Sequence, residues 1–106
     1  MHRLVVMYPQ PDDPLKFREY YETHSSLGRK VPNVRNLHYS FDVKGFPGDE
    51  NGIIKDLQLF CVFMAEWDSE ADMYQALTAT PEGQAVLADV RNYASSSFVF
   101  HYPLPD

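Results

Sequence analysis

Asp12-Asp13-Pro14-Leu15-Lys16-Phe17-Arg18-Glu19-Tyr20-Tyr21-Glu22-Thr23-His24 is the stretch on which the reading of this chain turns. Asp13 followed by Pro14 reads as a helix N-cap with proline at the first helical position. There the missing N–H costs nothing, and a carboxylate meets the positive end of the helix dipole. Phe17, Tyr20, Tyr21, His24 and Leu27 recur at the three- and four-residue spacing that puts side chains on one helical face. Lys16, Arg18, Glu19, Glu22 and Thr23 take the opposite face. His24 is therefore the titratable group of the apolar stripe that can change charge near neutral pH. Two readings of it are open: a packed histidine bonded to a backbone carbonyl near the helix end, or a functional one.

Working outward, Arg3 to Tyr8 before this helix is short, apolar and β-branched, and is stopped by Pro9 and Pro11. It reads as a central strand covered on both faces. The helix runs from Pro14 to about Leu27, with Gly28 as its stop signal. Pro32 then discourages helix at Val31 and marks a turn. Val34 to Val43 alternates: Leu37, Tyr39, Phe41 and Val43 point one way, and Asn36, His38, Ser40 and Asp42 the other. Lys44 to Lys55 holds three glycines and a proline and reads as a long hairpin loop, either a lid or partner-contacting arm or a tolerated insertion.

Asp56 to Trp67 reads as the third strand. Leu57, Leu59, Cys61, Phe63, Ala65 and Trp67 lie on one face; Gln58, Phe60, Val62, Met64 and Glu66 lie on the other. Ser69 with Asp72 opens a second helix with Met73, Ala76 and Leu77 inward, and Thr80-Pro81 restarts it. The segment from Pro81 to about Ala94 is expected to bury Val86, Leu87, Val90 and Tyr93. Phe98 to Tyr102 forms the last strand. The order β-α-β-β-α-β predicts an α+β, ferredoxin-like fold, with a four-stranded antiparallel sheet covered by helices on one face. Phe60, Val62 and Met64 would then leave an apolar patch on the other face, which predicts a homodimer packed sheet against sheet.

The chain has 106 residues, 44% of them hydrophobic, 14% aromatic and 23% charged, as in an ordinary folded domain. One domain spanning 1–106 is expected. The net charge of −6, without a basic cluster, argues against a nucleic-acid partner. The longest uninterrupted apolar run, Leu59 to Ala65, is too short to span a bilayer, so no membrane partner is expected. The single cysteine excludes an intramolecular disulfide and a Cys-rich zinc site. The N-terminal apolar run, Leu4 to Met7, is too short for a secretory signal, and a cytoplasmic setting is the default.

LVVMYPQPDDPLKFREYYETH, KVPNVRNLHYS, FMAEWDS, TPEGQAVLADVRNY and the terminal FHYP together resemble the EthD-type family of the dimeric α/β-barrel superfamily. The likeness runs over nearly the whole chain, and the Tyr-Tyr-x-x-His segment of the first helix is its most specific part. The family usually follows that histidine with a small residue, proline and leucine; here the chain reads Ser25-Ser26-Leu27. The resemblance implies a ferredoxin-like protomer, a dimer joined through its sheets, and a pocket between the sheet and the first helix. The superfamily includes lactone isomerases, polyketide cyclases, quinol-forming oxygenases and haem-degrading enzymes, so membership alone does not choose a reaction.

If the first helix lies over the core faces of the second and third strands, His24 meets Tyr39 and Cys61. An imidazole can take a proton alpha to a carbonyl, and a phenol can return one or hold an enolate oxygen. The superfamily's isomerases similarly place a helix-borne histidine beside tyrosine and cysteine. His24, Tyr39 and Cys61 are therefore the expected catalytic group, with Tyr8, Phe17, Tyr20 and Tyr21 as the substrate-binding surface. The bland reading of Cys61 is a small buried hydrophobe, since no basic neighbour lowers its pKa. His38 falls on the polar face, His2 is terminal, and the facing of His101 is ambiguous. No histidine spacing suggests a metal site, and no cofactor is expected. Two functions remain: a small cofactor-free isomerase, cyclase or lyase acting on an aromatic or lactone-like metabolite, and a non-catalytic dimeric binding or accessory protein holding a hydrophobic metabolite.

Overall fold

The computed structural model describes residues 1–105. Four strands, β1 (His2–Tyr8), β2 (Arg35–Phe41), β3 (Cys61–Trp67) and β4 (Phe98–Pro103), form one antiparallel sheet in the order β2-β3-β1-β4. α1 (Pro14–Arg29) separates β1 from β2; α2 (Glu70–Thr78) and α3 (Pro81–Asp89), with a 3₁₀ turn at Val90–Asn92, separate β3 from β4. This is the ferredoxin-like α+β arrangement that the order of elements predicts.

The helix starts follow from their caps. Asp13 accepts from the backbone N–H of Lys16 with Pro14 just inside, Ser69 accepts from that of Asp72, and Thr80 accepts from that of Gly83 with Pro81 just inside. The Thr80-Pro81 break yields two abutting helices. Gly83 makes the junction feasible: a Cβ there would collide with the Ala76 carbonyl oxygen. Gly28 is not the stop of α1, which continues through Arg29; it packs against Leu37, which a Cβ would meet at 3.4 Å. A helix tolerates a glycine where close contact with the sheet offsets its poor propensity.

The middle strands are shorter than their patterns suggested. β2 ends at Phe41 because Asp42 turns to φ 54°, and β3 begins only at Cys61, since Asp56 to Leu59 have no strand to pair with. The connection therefore spans residues 42–60 rather than 44–55. The Asp49 carboxylate caps its tip, accepting from the backbone N–H groups of Ile53 and Ile54. Phe46, Ile53, Ile54 and Leu57 are exposed along it. The radius of gyration, 15.0 Å, exceeds the ~13 Å expected of a compact chain this long, as a projecting arm requires.

Phe60 corrects the expected outer face. Standing just before β3, it turns into an aromatic cluster with Tyr8, Phe17, Tyr21 and Cys61, its ring 5.3 Å from that of Phe17. Its backbone still donates to the Tyr8 carbonyl and accepts from the Val43 N–H, but the alternation breaks there, so Phe60 and Cys61 both turn toward the helices. The register instead sets Val62 and Met64 beside Met7 and Val5 of β1, which face Phe98 and Phe100 of β4. Phe98 is 57% exposed and Phe100 43%. The outer face is thus apolar through its centre. Toward one end it carries an ion pair, Arg3 to Glu66 at 2.8 Å, with Asn36 donating to the same carboxylate.

The core on the helix side divides in two. One cluster holds Leu4, Val31, Ala65, Trp67, Met73 and Ala76; the other is the aromatic cluster. Leu87, expected to be buried, is 51% exposed, since α3 packs against α1 and α2 and leaves this residue at its open side. The division matters for function, because a hollow lies where the two clusters meet.

Candidate functional site

A cavity of about 120 Å³ lies between the sheet and the helices. Leu4, Val31, Ala65 and Trp67 of the first cluster form part of its wall; Tyr8, Tyr21 and His24 form another; Leu87 and Val99 stand at the exposed margin. Its lining is almost wholly apolar. An apolar cavity of roughly 150 Å³ can hold a benzene molecule, so this one suits a single small ring.

His24 reaches the cavity because it sits one turn after Tyr21 on the stripe of α1 that faces the sheet. Its Nδ1 lies 2.9 Å from Oδ2 of Asp89, the last residue of α3. The other carboxylate oxygen, Oδ1, accepts from the Tyr20 hydroxyl at 2.8 Å and from the Asn92 side-chain amide at 2.9 Å. Burial pushes the Asp89 carboxyl up, but donation from Asn92, His24 and Tyr20 outweighs it, so the group stays below its ordinary value and ionised. Burial likewise disfavours the charged imidazole and lowers the His24 pKa, against the pull of Asp89. At neutral pH the ring is thus neutral. Asp89 accepts the proton of Nδ1 and leaves Nε2 as the basic nitrogen, with no hydrogen-bond partner among the described residues.

Three tyrosine hydroxyls lie deeper. Tyr8 and Tyr93 hydrogen-bond each other at 2.7 Å. Tyr21 is fully buried, and its Oη lies beside the Tyr8 hydroxyl of that pair. Burial pushes all three phenols above their ordinary value, so they remain protonated.

The structure divides the residues expected from the sequence. His24, Tyr8 and Tyr21 line the cavity. Tyr39 does not: its ring packs edge-on against Tyr21 at 4.9 Å, and its hydroxyl lies 3.4 Å from Ser25 Oγ. Cys61 faces the helices but is fully buried within the aromatic cluster, where burial pushes its thiol up to about 12. His24, Tyr39 and Cys61 therefore do not converge on one space. Phe17 is sealed in the same cluster, and Tyr20 bonds Asp89 from outside the cavity. His38 is exposed on the outer face; His2 and His101 hydrogen-bond each other at 2.8 Å beneath Tyr74. Among the described residues no three His, Cys, Asp or Glu side chains gather as a metal site requires, and no helix is long and apolar enough to cross a membrane.

Asp89 escaped the sequence reading, although one signal pointed to it. A carboxylate at the last position of a helix faces the negative end of the dipole and needs a partner to offset that repulsion. Its spacing from Val86 and Tyr93 also sets it on the inward side of its segment.

The EthD domain model matches residues 10–97. A Rhodococcus erythropolis protein, the uncharacterized 11.0 kDa protein in the thcB-thcC intergenic region, is 32% identical over 96 residues, covering 90% of this chain and 85% of its own. An EthD family protein of Bacillus halodurans, solved by crystallography, is 25% identical with a TM-score of 0.79, over 99% of both chains. A dimeric ferredoxin-like protein of Thermobifida fusca superposes with a TM-score of 0.67 at 16% identity, over 97% of this chain and 90% of its own. Two enzymes share the fold at still lower identity, each over 99% of this chain and 93% of its own. They are SnoaB, a cofactor-independent oxygenase of Streptomyces nogalater (11%, TM-score 0.63), and a hydroxynitrile lyase of Passiflora edulis (12%, TM-score 0.67). With the family match over most of its length and a relative at 32% identity, this chain belongs to the EthD family.

Proposed function

We propose that this protein is a small cofactor-free enzyme of the isomerase, cyclase or lyase kind, which takes a proton from carbon in a small aromatic or lactone-like metabolite. The observation that carries this reading is the Asp89–His24 pair, with Nδ1 held at 2.9 Å and Nε2 left without a partner on an apolar cavity. A neutral imidazole with a fixed tautomer, away from bulk water, is suited to accept a proton and return it elsewhere on the same ligand. His24 is the general base and Asp89 its positioning residue. Tyr39 and Cys61, placed outside the cavity, have no direct part. Tyr8 and the cavity walls bind the ring, and Leu87 and Val99 leave room for a substituent to project.

The protein acts as a homodimer through the outer sheet face, where Met7, Val62, Met64, Phe98 and Phe100 would otherwise meet water. The dimeric relative from Thermobifida fusca supports this. One domain carries the function. The lone buried cysteine accords with a reducing, cytoplasmic setting, and neither nucleic acid nor membrane is a partner.

The second reading, a non-catalytic carrier of a hydrophobic metabolite, is favoured by the sealed Cys61 and the distant Tyr39. Exchange of ligand C–H protons with D₂O separates the two, using a panel of small cyclic ketones and lactones as probes. Catalysed exchange that falls roughly 10²- to 10⁴-fold in His24→Ala, with the fold retained, supports the enzyme. Binding without exchange leaves the carrier.

A further inference from the structure

Two sets of apolar side chains stand in water, and packing of the outer sheet faces covers neither. The first is at the cavity. Leu87 and Val99 both line it, yet they are 51% and 58% exposed. A dimer joined through the outer face covers Phe98 and Phe100, but Val99 alternates with them along β4 and points to the helix side. The second set is Phe46, Ile53, Ile54 and Leu57 on the arm of residues 42–60, all exposed. This arm is built rather than frayed. The Val43 N–H donates to the Phe60 carbonyl at its base, the Asp49 N–H donates to the Ile54 carbonyl near its tip, and the Asp49 carboxylate takes two further N–H groups. Its limbs lie so close that a Cβ at Gly45 would collide with the Leu57 backbone, and one at Gly48 with the Ile54 carbonyl. The molecule measures 46 × 37 × 18 Å, and 18 Å is about one sheet plus one layer of helices. The arm therefore lengthens the slab and does not fold back over its own cavity.

We propose that the arm of each protomer reaches round β4 of a second copy of this chain and closes the mouth of that copy's cavity. This rests on the cavity being the ligand site. β2, with β3 beside it, forms one margin of the sheet, and β4 forms the other. Tyr8 pairs with Cys61 and Met7 with Phe98, so the arm leaves the sheet at the end where β4 begins. A twofold axis along the strands, between two outer faces, sets β2 of one protomer over β4 of the other with like ends together. The arm then starts beside the partner's Phe98. An axis across the strands would carry it to the far end of β4 and leave both apolar sets in water. The limb from Val43 to Asp49 spans roughly 20 Å at ~3.3 Å per residue, enough to pass round a sheet edge. An ordered arm loses little freedom on docking, and its apolar side chains match a mouth lined by no Asp, Glu, Lys or Arg. A ligand substituent that projects past Leu87 and Val99 then meets the partner's arm rather than water.

Mixed dimers test where the arm lies. One protomer is unlabelled Ile53→Cys carrying a nitroxide, which the buried Cys61 does not take up; the other is ¹⁵N-labelled wild type. The nitroxide should broaden the Leu87, Ser97 and Val99 amides of the labelled protomer most strongly. Broadening centred elsewhere, no broadening, or a wild type that sediments as a monomer would each overturn the proposal. Benzene, followed by protein-detected NMR titration, tests the closure. Ile53→Asp combined with Leu57→Asp should bind it about tenfold more weakly than wild type while remaining dimeric, because part of the ring is returned to water. Val62→Glu, which lacks the partner, should show the same loss. Equal affinities in all three proteins would overturn the closure and leave the cavity as the ligand site. No benzene binding to the wild type would instead overturn the cavity itself as the ligand site.

Discussion

Replacing Asp89 with Asn keeps the shape of the side chain and removes its charge, and the structure specifies the consequence. The carboxylate accepts three donors, His24 Nδ1, Tyr20 Oη and Asn92 Nδ2, at 2.8 to 2.9 Å. An amide has one oxygen and one NH₂ group. If its oxygen stays toward Tyr20 and Asn92, the NH₂ meets Nδ1 and forces the His24 proton onto Nε2. If it flips, His24 keeps its tautomer while two donors lose their acceptor. Hydrogen bonds to a charged group contribute about 1.5–3 kcal/mol, and one buried mismatch costs about 1–3 kcal/mol, so a loss near 2 kcal/mol is expected. For a chain of this size that lowers Tm by roughly 8–15 °C. Proton-exchange rate should fall by about two to four powers of ten, because the basic nitrogen is blocked or misaligned. Tyr20→Phe removes one donor while leaving the tautomer intact, and should cost stability with much less effect on rate. Calorimetry and D₂O exchange on the two variants check this. An Asp89→Asn protein exchanging within twofold of wild type would refute the role given to Asp89.

Val62→Glu should dissociate the dimer, because two carboxylates would be forced into a dry contact; sedimentation at micromolar concentration reads the result. Acidification should destabilise the protein from about pH 6.5 downward. The folded state holds His24 neutral below the ordinary histidine value, so the unfolded chain binds the proton first and stability falls with pH. His24→Gln should flatten that limb between pH 7.5 and 5.5. The contribution of the depressed Asp89 is lost only at lower pH, as its carboxylate is protonated, and should be read as a separate fall in Tm below about pH 4.

The fold was legible because its signals are local. Asp13-Pro14, Ser69 and Thr80-Pro81 start helices whatever surrounds them, and the alternation of Leu37, Tyr39 and Phe41 places the core face of β2 without knowledge of a partner. Boundaries were less so. Leu57 and Leu59 continue the alternation of β3, yet strand pairing needs a neighbour, and β2 had already ended. Phe60 shows the same limit: where the alternation breaks at the start of β3, its ring enters the aromatic cluster.

The candidate site was half legible. The stripe of α1 brings Tyr21 and His24 inward by helical geometry alone. Facing, however, says nothing about height along a strand. Cys61 shares its face with Phe63 and Ala65, but those two line the cavity, while Cys61 is enclosed in the aromatic cluster with Tyr8 and Phe60. Asp89 lies 65 residues from His24 in sequence, and only the packing of α3 against α1 brings them together.

The most direct measurement is the tautomer of His24, read by ¹⁵N NMR of the labelled imidazole at pH 7 before and after a small cyclic ketone is added. A neutral ring with its proton on Nδ1 and a bare Nε2 whose resonance moves on ketone binding is the predicted result. A proton on Nε2, a ring charged at pH 7, or an Nε2 indifferent to the ligand would contradict the assignment of His24 as the base that faces the cavity.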